Sequence, residues 1–206
     1  DETNSTYELT SEDEGKWIRV KIIGKGSYTG TAYSEPVGPV PVVKMTMSAD
    51  DKEVVVEDNN FPEFTMPVTA ESTGVEIDGT NNVRFYGVIP GLTADNIDLA
   101  EITGGKPATD IDDIERNYAG ANEGDLVLAW GPKGGFPVGD LNYAEGVTTE
   151  FKATIKKLGV YTVTFVFYDL TAKEQLNAAG ESATITVREP TQSEYGFEIT
   201  GVDQDF

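Results

Sequence analysis

The chain has 206 residues, with 15 basic and 36 acidic side chains, a formal charge of −21, and neither histidine nor cysteine. Those absences exclude a Ser/His/Asp triad, a cysteine nucleophile, imidazole or thiolate zinc sites, Fe–S clusters and disulfides, leaving carboxylate chemistry and hard-cation sites open. So acidic a chain repels phosphate backbones and anionic lipid, which are held by Lys and Arg. The longest apolar run, residues 160–168, is far short of the roughly 20 residues of a membrane helix, and the N-terminus lacks a basic and apolar signal. A start at Asp1 rather than Met is expected of a processed product or an excised piece. Freedom from cysteine fits many Gram-positive exported proteins and also a reduced cytosol. At 38% hydrophobic and 10% aromatic, the composition is that of a folded chain.

Glycine and proline punctuate the sequence, and between them apolar and polar residues alternate at period two, the mark of half-buried strands. In chain order, strands are expected at residues 17–22, 52–56, 64–70, 82–88, 151–155, 161–167 and 183–187. Helical turns are expected where Thr93, Asp110 and Thr171 precede short helix-forming stretches. Many short strands with turns between them predict an all-β protein, an antiparallel immunoglobulin-like β-sandwich with long loop insertions.

Prolines at 36, 39 and 41 lack ladder donors and predict a stiff extended linker rather than a central strand. The division expected is a leading piece at 1–38, a linker at 39–42, the main sandwich at 43–188, and a linker with an alternating tail strand at 189–206. Residues 43–110 carry 13 acidic against 4 basic side chains, which reads first as a solvated acidic surface.

The leading piece contains Tyr7-Glu8-Leu9-Thr10, Asp13-Glu14-Gly15-Lys16, Ile18-Arg19-Val20 and Gly26-Ser27-Tyr28-Thr29-Gly30. This succession resembles the last three strands of the immunoglobulin-like modules repeated in bacterial surface-layer and cell-wall proteins. It covers about a fifth of the chain, and the resemblance implies a partial module whose opening strands come from elsewhere. Read from the residues alone, Ile18, Val20 and Ile22 share a strand face, and Gly26 and Gly30 bracket a hairpin. Leu158-Gly159-Val160-Tyr161-Thr162-Val163 resembles the start of a penultimate sandwich strand, where a Tyr hydroxyl ties down the preceding turn. Tyr161 reads equally well as a half-buried strand aromatic. The stretch 96–142 resembles no named family.

Three groups of side chains are candidates for function. Asp110, Asp112, Asp113 and Glu115 have a spacing suited to calcium, although the EF-hand order is absent; the plain alternative is an acidic helix N-terminus. Trp130, Phe136 and Tyr143 could form an aromatic platform for a sugar ring, against which Trp130 closes an apolar strand and reads as core. Leu9, Ile18, Val20 and Ile22 form an apolar face with no partner in the leading piece, an assembly surface.

The expectation is therefore a non-catalytic structural or adhesive module of an exported bacterial surface or surface-layer protein. It would sit extracellularly and self-associate or pair with neighbouring modules, with calcium as the one possible cofactor, and with no nucleic acid and no membrane insertion. The alternative from another class is a carbohydrate-binding accessory module of a secreted polysaccharide-degrading enzyme; cell-wall polysaccharide would then be the partner. A glycosidase ranks third, because nothing in the spacing sets two carboxylates at the required separation.

Overall fold

A computed structural model of the chain describes residues 6–7, 9–40, 42–100, 106–191 and 194. The expected tail strand within 195–200 lies outside the described residues. The leading part is a hairpin in which β1 (Lys21–Ile23) pairs antiparallel with β2 (Thr31–Tyr33), Ile22 opposite Ala32. The Gly24 N–H donates to the Gly30 carbonyl at 2.9 Å, and the loop between them needs a left-handed residue that Gly26 supplies at φ +68. Among the described residues, the three strands expected here are a two-stranded ribbon. Upstream, a 3₁₀ turn at Ser11–Asp13 is closed by the Asp13 carboxylate, which accepts from Tyr7 Oη at 2.7 Å and from the Thr10 N–H at 3.0 Å. The bond from the Thr10 backbone N–H, then that from the Tyr7 hydroxyl, hold the Asp13 carboxyl below the usual range. The prolyl segment is not free-standing. Val37 and Ile18 exchange backbone bonds of 2.8 Å, and Val40 and Gly15 are joined at 2.9 Å, so the segment is laced to residues 15–18.

From Met45 onward the chain forms a two-layer sandwich. In order come β3 (Met45–Ser48), β4 (Lys52–Val55), β5 (Phe64–Ser72), β6 (Asn82–Ile89), β7 (Ile97–Leu99), β8 (Leu126–Trp130), β9 (Phe136–Pro137), β10 (Val147–Ile155), β11 (Gly159–Asp169), β12 (Glu174–Gln175) and β13 (Ser182–Arg188). One sheet runs β3-β5-β10-β7; the other runs β4-β13-β11-β6-β8, with β12 beside β11 and β9 beside β6. Pairing is antiparallel except between β4 and β13, which are parallel. Pro67 inside β5 is tolerated because β3 pairs only with Thr69 to Ser72, so one side of the strand at Pro67 is open.

Alternation places Met66, Val68, Phe151, Ala153 and Ile155 of the first sheet against Phe85, Val163, Phe165, Phe167 and Ile185 of the second, all buried. Tyr161 Oη donates to the Lys157 carbonyl at 3.0 Å, which ties down the turn before β11 as the resemblance implied. Gly159 is required beneath it: a Cβ there would meet the Tyr161 hydroxyl at 3.0 Å.

The stretch 96–142 gives the sandwich a third layer on one side. A short helix α1 (Asp113–Tyr118) is capped by Asp112, whose carboxylate accepts from the Glu115 N–H at 3.0 Å. The cap is thus two residues later than Asp110. With Ala119 and Ile111, this layer closes over Tyr86, Val88, Val127, Ala129 and Val166 on the outer side of the larger sheet. For that reason β6 is buried along nearly its whole length, on both faces. The turn expected after Thr93 is a 3₁₀ turn at Ala94–Asn96; after Thr171 the chain makes a turn into β12 instead of a helix. Both core clusters begin at or beyond Met45.

Candidate functional site

The hairpin β1–β2 is open on both faces. Val20 is 61% and Ile22 64% exposed, on the face they share with half-buried Ile18; exposed Leu9 lies upstream. The register places Lys21 beside Tyr33 and Ile23 beside Thr31 on the opposite face, together with Arg19, whose guanidinium carbon sits 4.2 Å from the Tyr33 ring centre. Trp17, 61% exposed, continues that face by alternation, and Tyr28 at the hairpin tip is 80% exposed. The structure therefore brings Ile18, Val20 and Ile22 together as the alternation predicts. It adds a second, basic and aromatic face that alternation at positions 17, 19, 21 and 23 already encodes. Beyond β1–β2 the ribbon continues through the Ser34 N–H, which donates to the Val20 carbonyl at 2.9 Å, and through the Ile18–Val37 bridge, and among the described residues no third strand pairs with it.

Elsewhere the most concentrated charge chemistry lies beneath α1. Arg84 on β6 is 3% exposed and Glu115 on α1 is 5% exposed, and the two form an ion pair. Arg84 Nη2 also donates to the Gly131 carbonyl at 3.3 Å, while its Nε finds no acceptor among the described residues. Burial lowers the basicity of the Arg84 guanidinium, and the nearby Tyr86 and Asp112 work against that loss. Tyr86, with its hydroxyl 3.5 Å from Glu115 Oε1, is pushed up to about 12, chiefly by burial. Tyr118 stacks on Tyr168 with ring centres 4.5 Å apart. A shallow cavity of about 410 Å³ adjoins this cluster, lined by Asp112, Tyr118, Lys133 and Thr171 among others. Arg84 carried no signal in the sequence and Glu115 only that of an acidic cluster, because each acquires its partner only when 96–142 folds over the sheet.

The arrangement corrects the calcium expectation. Glu115 points inward to Arg84, and Asp112 caps the helix and pairs with Lys133 at 2.7 Å. Asp110 and Asp113 are exposed. Among the described residues no three carboxylates gather where they could hold a cation. The acidic helix start is the reading that stands.

The aromatic platform is corrected as well. Trp130 is 7% exposed and lies 4.8 Å from Phe85, ring centre to ring centre; its indole N–H donates to the Glu150 carbonyl at 3.2 Å. Gly87 makes room for the ring, since a Cβ there would meet it at 3.2 Å. Tyr143 is 6% exposed and packs edge-on against Phe167, and Phe136 is half-buried against the same core. A ring that holds a sugar must show a face to solvent, and these rings show theirs to the core. Tyr143 borders an end cleft of about 440 Å³, and burial pushes its phenol above the usual range.

Among the described residues no helix is long and apolar enough to cross a membrane. No protein-family profile matches the chain, and no curated protein matches it in sequence. Among solved structures it is similar to a type III cohesin module from the cellulosomal ScaE cell-surface anchoring scaffoldin of Ruminococcus flavefaciens. The two are 12% identical with a TM-score of 0.37, over 71% of this chain and 89% of that one.

Proposed function

We propose that this protein is a non-catalytic structural or adhesive module of an exported bacterial surface or surface-layer protein, acting in self-assembly or cell-surface display. Its partners are further copies or neighbouring modules of the same surface protein. The observation that carries this reading is the exposure of apolar side chains on both faces of one small ribbon: Val20 and Ile22 on one, Trp17, Ile23 and Tyr33 on the other. A two-stranded ribbon has no interior in which to bury such residues, and contiguous exposed apolar surface with open strand edges marks an association site. The sandwich does not depend on the ribbon, since its clusters begin at Met45.

Carboxylates are the chemistry the composition leaves open, and the buried ones are committed to structure. Glu115 neutralises Arg84, and Asp169 accepts from the N–H groups of Thr171 and Ala172 at 2.8 Å each. Light scattering on the intact chain and on a version starting at Val42 tests the reading. The intact chain should associate with rising concentration and the shortened one should remain monomeric with a cooperative unfolding transition. The reading fails if both are monomeric and equally stable.

A further inference from the structure

The hairpin differs from the rest of the molecule in charge as well as exposure. Residues 15–34 hold four basic side chains, Lys16, Arg19, Lys21 and Lys25, and no acidic one. The other 186 residues hold the remaining 11 basic against all 36 acidic side chains, a formal charge of −25. The acids nearest in sequence are Glu14 and Glu35, one at each end of the segment; Glu12 and Asp13 belong to the turn at the ribbon's root, where Asp13 is turned inward to Tyr7 and Thr10. Among the described residues none of Lys16, Lys21 and Lys25 is in an ion pair, and Arg19 is held over Tyr33. One face thus offers Trp17, Arg19, Lys21, Ile23 and Tyr33 as apolar, aromatic surface carrying unneutralised positive charge.

Granting the reading above, that the hairpin works by association, we propose that this face docks on the acidic main domain of a second copy, hairpin to body rather than hairpin to hairpin. The choice follows from charge. A two-fold contact of this hairpin face on itself sets Arg19 and Lys21 against the same two cations, and like charges across an interface act against that pairing. A hairpin laid on the body sets these two cations against a domain whose net charge is strongly negative. The body offers carboxylates for them on the outer face of the β3-β5-β10-β7 sheet, where Glu71 and Glu150 are exposed and in no ion pair among the described residues, beside Lys152, which is paired to Glu63. In the larger sheet the outer side of β6, β8 and the C-terminal half of β11 is closed by α1 and its neighbours, while Val160 and Thr162 earlier on β11 stay exposed. A hairpin-to-body contact is heterologous, so each copy still has a free hairpin at one end and a free body at the other. Growth continues unless the rotation closes a ring.

The test is sedimentation velocity on the full chain, with the full-chain double variant Arg19→Glu and Lys21→Glu as comparison. Both positions are exposed, so the variant keeps its fold. Raising sodium chloride from about 0.1 M to about 1 M cuts the Debye length from about 10 Å to about 3 Å and should weaken association of the natural chain by about tenfold or more. The variant should associate about tenfold or more weakly at low salt. Its body remains intact, so when mixed with the natural chain it should bind the growing end and shorten the assemblies. If the natural chain associates equally or more tightly at high salt, and the variant leaves its assemblies unchanged, hairpins meet hairpins; this proposal is then overturned while the association reading stands. If the natural chain is monomeric throughout, both are overturned.

Discussion

Replacing Glu115 by Gln keeps the size of the side chain and removes one charge, leaving the Arg84 guanidinium buried at 3% exposure with the Gly131 carbonyl as its remaining acceptor. Removing one partner of a buried pair costs about 3–5 kcal/mol, because the other charge is stranded away from water. For a domain of this size 1 kcal/mol corresponds to about 2–4 °C, so the melting temperature should fall by roughly 6–20 °C. The paired replacement Arg84→Met with Glu115→Leu removes both charges, and should lie within about 1 kcal/mol of the natural chain or above it. Urea unfolding followed by fluorescence reads the effect well: Trp130 reports the sandwich from within, while Trp17 is already in solvent. The double-mutant cycle then isolates the charge coupling from the packing. A cost below about 1 kcal/mol for Glu115→Gln, or a paired variant as unstable as the sum of the singles, would refute the view that α1 is fastened to the sheet by a desolvated ion pair.

Three further outcomes are expected. Tyr161→Phe removes the bond to the Lys157 carbonyl and should cost about 1 kcal/mol in chemical denaturation, with no change in association. Tyr86, raised to about 12, and Tyr143, raised further, keep their protons in the folded chain beyond the pH at which an unfolded tyrosine ionises. The folded state therefore binds more protons above about pH 10, and stability present below that pH should be lost as pH rises, by about 1.4 kcal/mol per pH unit for each tyrosine. Tyrosinate absorbance should show these two groups titrating only as the chain unfolds, and early titration of all tyrosines in the folded chain would contradict it. Calcium and magnesium at equal ionic strength should raise the melting temperature equally, because the carboxylates at 110–115 do not converge; a calcium-specific rise would show a site that the geometry lacks.

Period-two alternation was enough to place β4, β5, β6, β10, β11 and β13, because in a sandwich the core face of each strand is dictated by its neighbours across one interior. β3, whose Met45 and Met47 alternate with Thr46 and Ser48 in the same way, was not among the expected strands, because four residues are too short to stand out. The layer at 96–142 was not legible. Its helix is one and a half turns long, with acids on either side of the true cap, so local chemistry could not choose between Asp110 and Asp112. The Arg84–Glu115 pair depends on where that layer settles, a tertiary fact with no periodicity. Trp130 was ambiguous for another reason. Its strand reads as apolar and its flanking loop as glycine-rich, and what decides for the core is Gly87 on the neighbouring strand.

The parallel pairing of β4 with β13 has a mechanical consequence. β4 lies near the point where the chain enters the sandwich and β13 is where it leaves. Ile185 to Arg188 run alongside Lys52 to Val55 in the same direction, with Val56 N–H continuing the ladder to the Arg188 carbonyl at 2.8 Å and Arg188 paired to Glu53. Tension drawn between the two ends of the domain loads β3 against β5 first and, once β3 has parted, pulls β4 towards its N-terminal end and β13 towards its C-terminal end. The two strands are then dragged past one another along their length, and the ladder bonds are strained together instead of parting one at a time as in a zipper. Resistance to pulling is a rate property, set by the barrier to unfolding and not by the equilibrium stability. A sandwich threaded this way holds best along the line on which a chain anchored at one end and loaded at the other would be stretched.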